Sequence, residues 1–252
     1  MKALKFKLSG RTAFFKKPDV NSYFYFTYGN IHKVALLGIF GAILGYSGYN
    51  QHRYKLDNIK NYKEDYPEFY NKLNTLNIAI EPLNDKGFTP KKIQVFNNSV
   101  GYASQEMGGN LIVKEQWLEN PKWNIYVLLD NEESYKICEY ILGYKAIYQP
   151  YLGKNDHYAN ISNIKIYDAK EVLDLDIERI HSLCPKNCVS LYVDEDDESE
   201  EDLFKYCEKL PISLNKFTNM YELESFVYSN MYVESINNDK LYNVDGKNIV
   251  FF

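Results

Sequence analysis

The chain of 252 residues carries 29 Lys and Arg against 34 Asp and Glu, a net charge of −5, with 45% hydrophobic residues and 24 Tyr. That length and composition suit one large domain or a compact core with appendages, and exclude a mini-protein, a collagen and a disordered tail. The total also speaks against nucleic acid, whose binding normally leaves a basic footprint, but it hides a gradient: residues 1–60 carry +8, residues 61–168 carry −3 and residues 169–252 carry −10.

Met1 to Gly10 alternate, with Leu4, Phe6 and Leu8 on one face and Lys5, Lys7 and Ser9 on the other, the period of a half-buried strand. Arg11 to Tyr28 mixes aromatic and basic residues without a period and reads as an extended loop. Ile31, Ala35, Leu36, Ile39, Ile43 and Tyr46 then recur at helical intervals, which predicts a first helix over about 31–46. Its Gly38, Gly41 and Gly45 each cost roughly 1 kcal/mol relative to Ala, a cost accepted where a strand or a phosphate backbone must come close. Gln51 to Leu73 is polar and Tyr-rich, with a second helix expected near Tyr66 to Leu73, and Asn77 to Leu83 alternates as a strand.

Between Asn84 and Pro121 the chain is punctuated by Gly and Pro around two short β-like runs, Ile93 to Phe96 and Leu111 to Lys114, which predicts a projecting hairpin. Asn124 to Asp130 is an apolar run of strand length, Glu132 to Leu142 has helical spacing, and Ile161 to Tyr167 alternates again. Strand, helix, strand, hairpin, strand, helix, strand is the α+β, ferredoxin-like order. The expected organisation is a core over residues 1–168 with its insert at about 84–121, followed by an acidic, β-rich appendage over residues 169–252. The acidic run Asp194 to Asp202 reads as a solvated loop, or as a protein-binding or RNA-repelling one.

Cys138, Cys184, Cys188 and Cys207 are too few and too irregular for a disulfide framework. His181, Cys184, Cys188 and Cys207 are residue types that zinc accepts, but there is no C-x2-C knuckle and Pro185 interrupts the group, so no metal or cofactor is expected. The apolar stretch from Val34 to Tyr49 is shorter than the roughly 20 residues of a membrane span, and a cytoplasmic protein without a membrane partner is the expectation. The Walker, dinucleotide, zinc-protease and nucleophile-elbow motifs are all absent.

What remains is a joint pattern. An opening strand ends in Leu8-Ser-Gly-Arg-Thr-Ala-Phe-Phe-Lys-Lys-Pro18; Thr27-Tyr28 precedes the Gly-rich helix from His32 to Gly45; much later comes Tyr151-Leu-Gly-Lys154, followed by Ala159. Over residues 1 to about 167 this order resembles the Cas-five family of CRISPR-associated proteins, subunits of type I Cascade surveillance complexes, with the I-B type as first choice. The resemblance implies a ferredoxin-like, RRM-related RAMP core with a thumb hairpin. It implies a subunit that grips the 5′ handle of the crRNA and caps the backbone filament. Its partners would be the repeated backbone subunit, the large subunit and, through the assembled complex, target DNA, whose sequence is read by base pairing.

Single-stranded RNA is held by cations on phosphates and by aromatic rings under bases. Arg11, Lys16 and Lys17 interleave with Phe14 and Phe15 in that manner, although the Phe residues would equally anchor a solvated loop. Tyr28, His32 and Lys33 lie at the start of the Gly-rich helix, where unpaired N–H groups favour a phosphate. Lys91 and Lys92 open the hairpin, and Tyr151 and Lys154 belong to the late motif; a solvated surface and a glycine turn are the plain alternatives.

One branch of the family, the I-C type, cleaves precursor crRNA without metal, using a Tyr and an adjacent Lys-His pair. None of His32, His52, His157 and His181 follows a Lys, and the segment from Asn84 to Pro121 has no His. Tyr28, His32 and Lys33 form only a reversed pair beside a Tyr, and Tyr46 sits in the apolar helix. A non-catalytic binding subunit is therefore preferred over a metal-independent endoribonuclease and over a stand-alone RRM-like module.

Overall fold

The computed structural model describes residues 1–19, 23–102, 105–107, 109–172, 177–193, 202–237 and 240–252. The alternating start forms β1 (Lys2–Ser9), followed by the short β2 (Thr12–Ala13). Three helices come next, α1 (Lys33–Leu44), α2 (Tyr49–Asn58) and α3 (Glu68–Leu73). Then follow β3 (Ile78–Pro82), β4 (Lys91–Asn97), β5 (Ile112–Glu119), β6 (Lys122–Leu128), α4 (Glu132–Leu142) and β7 (Asn160–Glu171). The remainder is all strand among the described residues, apart from a short 3-10 turn at Lys186–Cys188: β8 (Cys184–Pro185), β9 (Val189–Tyr192), β10 (Lys205–Leu214), β11 (Tyr221–Ser229), β12 (Tyr232–Ile236), β13 (Leu241–Val244) and β14 (Lys247–Val250).

The fold is mixed α/β around a mostly antiparallel sheet in the order β14-β13-β7-β1-β6-β3. β1 lies at its centre, pairing antiparallel with β6, where Lys5 faces Tyr126, and with β7, where Lys5 faces Lys165. The alternation of β1 decides which way it faces: Leu4, Phe6 and Leu8 are buried in one cluster with Leu36, Leu37, Phe40 and Ile43 of α1 and Ile137 and Ile141 of α4. At roughly 25 cal/mol per Å² of apolar surface removed from water, this helix-on-sheet layer is the main source of stability.

The opposite face is closed by the sheet itself. The N–H of Ile78 donates to the carbonyl of Phe252 (3.2 Å) and the N–H of Phe252 donates back to Ile78 (3.0 Å), so the strand order bends round until its two edges meet. Ala3, Ala79 and Ala169 line the inside of the curl and leave room for Tyr126, Tyr242 and Phe251. Glu81 is buried there and accepts from the Tyr126 hydroxyl (2.6 Å), from Asn124 Nδ2 (2.7 Å) and from Lys247 Nζ. Burial pushes its carboxyl up, but those donors outweigh it and hold Glu81 below the usual carboxylate range.

The C-terminal strands thus belong to the body. The expected division at residue 168 falls inside β7, β13 and β14 extend the same sheet, and Leu210, Leu214 and Phe226 sit in the core cluster of β1 and α1. α2 was not expected: only His52 of its residues is buried, so it has no apolar stripe to give it away. Of the acidic run, residues 194–201 lie outside the described residues, and Asp202 pairs with Lys86 at 3.0 Å. Among the described residues no helix is long and apolar enough to cross a membrane, and no group of His, Cys, Asp and Glu is gathered to hold a metal ion.

Candidate nucleic-acid interface

β4 and β5 pair antiparallel, with Gln94 facing Glu115 and Phe96 facing Val113, and β2 adds to the β5 edge. Tyr25 joins the same β5 segment beside Glu115: its N–H donates to the Lys114 carbonyl (2.9 Å) and its carbonyl accepts from Gln116 (2.9 Å). Between this small sheet and α1 runs a cleft of about 1250 Å³. Its α1 wall is Ala35, Gly38, Ile39, Ala42 and Gly45, its far wall is Phe96, Leu111, Val113 and Glu115, and its rim includes Lys16, Tyr25, Tyr46, Tyr148, Tyr151 and Lys154.

The three helix glycines do different jobs. A Cβ on Gly38 would meet nothing within 4 Å, so it opens the wall; a Cβ on Gly41 would lie 2.6 Å from Cβ of Phe69, so it packs α3. Gly45 caps the helix in the left-handed region at φ 78. The 147–148 segment completes that end, with Ile147 N–H donating to Ile43 (2.9 Å) and Tyr148 N–H to Ala42 (3.0 Å), which places the Tyr148 ring on the cleft rim.

The late motif is a structural joint as well as a rim. Gly153 has φ 91, and a Cβ there would run into the Phe14 carbonyl, while Phe14 N–H donates to the Leu152 carbonyl (3.0 Å). This locks the 152–154 turn onto the loop after β2 and sets Tyr151, 44% exposed, and Lys154 into the cleft. Lys154 Nζ donates to both carboxylate oxygens of Glu115 at 3.1 Å and lies 5.3 Å from the Phe96 ring centre and 5.8 Å from that of Phe14. Lys16 Nζ lies 4.0 Å from the Tyr25 ring centre.

Of the other sequence candidates, Phe14, Phe15 and His32 border the cleft but are buried, and the rest are paired or lie away from it. Phe14 lines the cleft but is buried, and Phe15 is packed against Trp123 and His32 in the core, so neither ring is laid open for a base. Arg11 is exposed beyond the end of β1 and does not line the cleft. Lys17 is half-buried, 3.8 Å from Glu208, whose carboxylate is held by Gly29 N–H (2.8 Å) and the Tyr206 hydroxyl (2.7 Å). Burial lowers the pKa of Lys91 near the same carboxylate. Lys92 pairs with Glu119 at 3.4 Å and lies 5.9 Å from the Trp117 ring centre.

The start of α1 is sealed. His32 is only 2% exposed, its Nδ1 accepts from Ala35 N–H (3.2 Å), and the rings of Phe15, Tyr28 and Tyr221 surround it. The histidine occupies the capping position where a phosphate was expected, and burial lowers its pKa to about 3, so it is neutral. Tyr28 is equally buried, and its hydroxyl is raised by that burial and has no hydrogen-bond partner among the described residues. Lys33 is lowered to about 8 by burial, with Lys240 adding repulsion, and it does not line the cleft. Tyr28, His32 and Lys33 therefore do not form an open catalytic group here.

Sequence reasoning missed Tyr25, Phe96, Tyr148 and Glu115. The aromatic run Phe24-Tyr25-Phe26, of residue types common in strands, is the one local signal of an added bridge; the others reach the cleft only through long-range pairing.

No protein-family model matches the chain, and no curated protein matches it. Among solved structures it is similar to a chain described as a CRISPR RNA-guided surveillance complex, with a TM-score of 0.51 at 12% identity, covering 92% of this chain and 91% of that one. A CRISPR protein from Archaeoglobus fulgidus aligns at a TM-score of 0.45 and 11% identity over 99% and 98% of the two chains. A chain of the type III-B Cmr-beta complex bound to cognate target RNA and AMPPnP aligns at 0.48 and 12% over 92% and 86%. The first of these defines the class of fold: the chain shares its architecture with a chain of a CRISPR RNA-guided surveillance complex.

Proposed function

We propose that this protein is a Cas-five subunit of a type I Cascade complex, of the I-B type, which binds the 5′ handle of crRNA without cutting it. The observation that carries the reading is the cleft, whose rim combines Tyr25, Tyr148 and Tyr151 with Lys16 and Lys154 beside the open Gly38 wall. Rings for bases and the Lys16 ammonium for a phosphate, at a backbone that has no side chain in the way, are what a single strand requires. The order β7-β1-β6-β3, with α1 after β1 and α4 after β6, supports the ferredoxin-like reading, and the β4–β5 pair supports its thumb. The partners in this reading are the repeated backbone subunit, the large subunit and, through them, target DNA.

The non-catalytic role is favoured by His32, which is neutral, buried and committed to capping α1. The test is to titrate the purified full chain into labelled repeat RNA in EDTA at several salt concentrations. Salt-dependent binding without product is expected. Absence of binding overturns the RNA reading, and a cut abolished by His32→Ala makes the chain an endoribonuclease instead.

A further inference from the structure

The cleft holds a feature that phosphate binding does not explain. Glu115 is only 5% exposed, yet it lines the cleft wall, where a carboxylate repels a phosphate backbone. Lys154 Nζ donates to both of its oxygens at 3.1 Å, and Trp117 Nε1 donates to Oε2 at 2.8 Å. Asp156 lies 3.9 Å from the same ammonium, so Lys154 is held by two carboxylates rather than left free for phosphate. The Tyr25 backbone flanks Glu115 on the β5 edge, and the Phe96 ring lies 5.3 Å from Lys154 Nζ, which gives the pair an aromatic surround.

Resting on the RNA reading of this cleft, we propose that Glu115 and Lys154 form a guanine-reading pair that selects one base of the bound strand. A carboxylate accepts only, through two oxygens side by side, and an ammonium donates only. The edge that complements them offers two adjacent donors flanked by an acceptor. Guanine alone presents this on its Watson–Crick side, with N1–H and N2–H toward Glu115 and O6 toward Lys154. Adenine and cytosine offer one donor beside an acceptor, and uracil one donor between two acceptors, so each leaves a carboxylate oxygen opposed or unpaired. Lys154 straddles both oxygens in the free protein; when it turns one bond toward O6, a site opens on Glu115, while Trp117 keeps the carboxylate in place.

The test uses hepta-uridine RNA and its derivatives with guanine, inosine, adenine or cytosine at the central position, titrated into the full chain by fluorescence anisotropy. The guanine oligomer is expected to bind about ten-fold tighter than hepta-uridine, with inosine, which lacks the N2 amino group, in between. Glu115→Gln keeps the side-chain size and should reduce the guanine preference, taken as the ratio of guanine-oligomer to hepta-uridine affinity on that same variant, to less than about two-fold; a melting curve verifies that it folds. Equal binding of all the oligomers, or a preference for another base, overturns the guanine assignment and leaves the cleft as an RNA site. A guanine preference that survives in Glu115→Gln removes Glu115 from the reading. Failure of every oligomer to bind overturns both this inference and the RNA reading beneath it.

Discussion

Two groups of aromatic and basic side chains, adjacent in sequence, have opposite fates. At the start of α1, Phe15, Tyr28 and His32 interlock at ring-centre distances of 5.3 to 5.9 Å and are shut off from solvent. On the cleft rim, Lys16 and Tyr25 lie 4.0 Å apart and face open space together with Tyr148 and Tyr151. Both are rich in aromatic rings; burial separates them. The sealed group should therefore respond to substitution through stability and the rim group through binding.

The largest effect belongs to the sealed side and its joint. Phe15→Ala is expected to cost about 3–5 kcal/mol of folding stability in a urea titration. Gly153→Ala should cost about 3 kcal/mol or more, because a Cβ at φ 91 meets the Phe14 carbonyl. A loss below 1 kcal/mol, on the order of an exposed-site change, in either variant contradicts the packing described.

On the rim, Tyr151→Ala should weaken RNA binding by about 1–3 kcal/mol while stability moves by no more than about 0.5 kcal/mol. A change in stability with unaltered binding reverses the comparison.

Acid sharpens it further. The folded-state pKa of His32 is lowered to about 3 from an ordinary 6.5, so the unfolded chain takes up the proton first. The contribution of the neutral ring is whole above pH 6.5 and falls by about 1.4 kcal/mol per unit as pH drops below it. His52, His157 and His181 are lowered in the same direction by burial. His32→Asn keeps a capping side chain; it should be less stable at neutral pH because the ring packing is lost, and its stability should depend less on acid. A slope equal to that of the wild type argues against a buried neutral imidazole.

The smallest effect is on salt dependence. Lys16→Ala should lower the slope of log affinity against log salt by about 0.7, the share of one single-strand phosphate contact. Lys17→Ala should hardly change it, because Glu208 lies 3.8 Å from Lys17 Nζ. Equal slopes for the two variants erase the distinction between rim and interior.

Local pattern was enough for the layer that supports the site. α4 spans Glu132–Leu142, the limits its periodicity predicts, and β1 and α1 lie within a residue or two of theirs. α2 escaped because its exposed residues follow no stripe, and the closing of the sheet escaped because Ile78 and Phe252 lie far apart in the chain. Lys16, Tyr151 and Lys154, candidates from the sequence, line the cleft. Phe14, Phe15, Tyr28 and His32 have the same letters as a stacking surface, and only the packing tells that they face inward. Tyr25 and Glu115 become neighbours when two distant strands align, which no local window contains.

The most direct measurement is photo-crosslinking of 4-thiouridine-labelled single-stranded RNA to the intact chain, with the modified peptides mapped by mass spectrometry. Crosslinks on the peptides that carry Tyr25, Phe96, Tyr148 and Tyr151 are the expected result. Crosslinks gathered instead on β13 and β14, or on peptides that do not border the cleft, contradict the assignment of the RNA to this site.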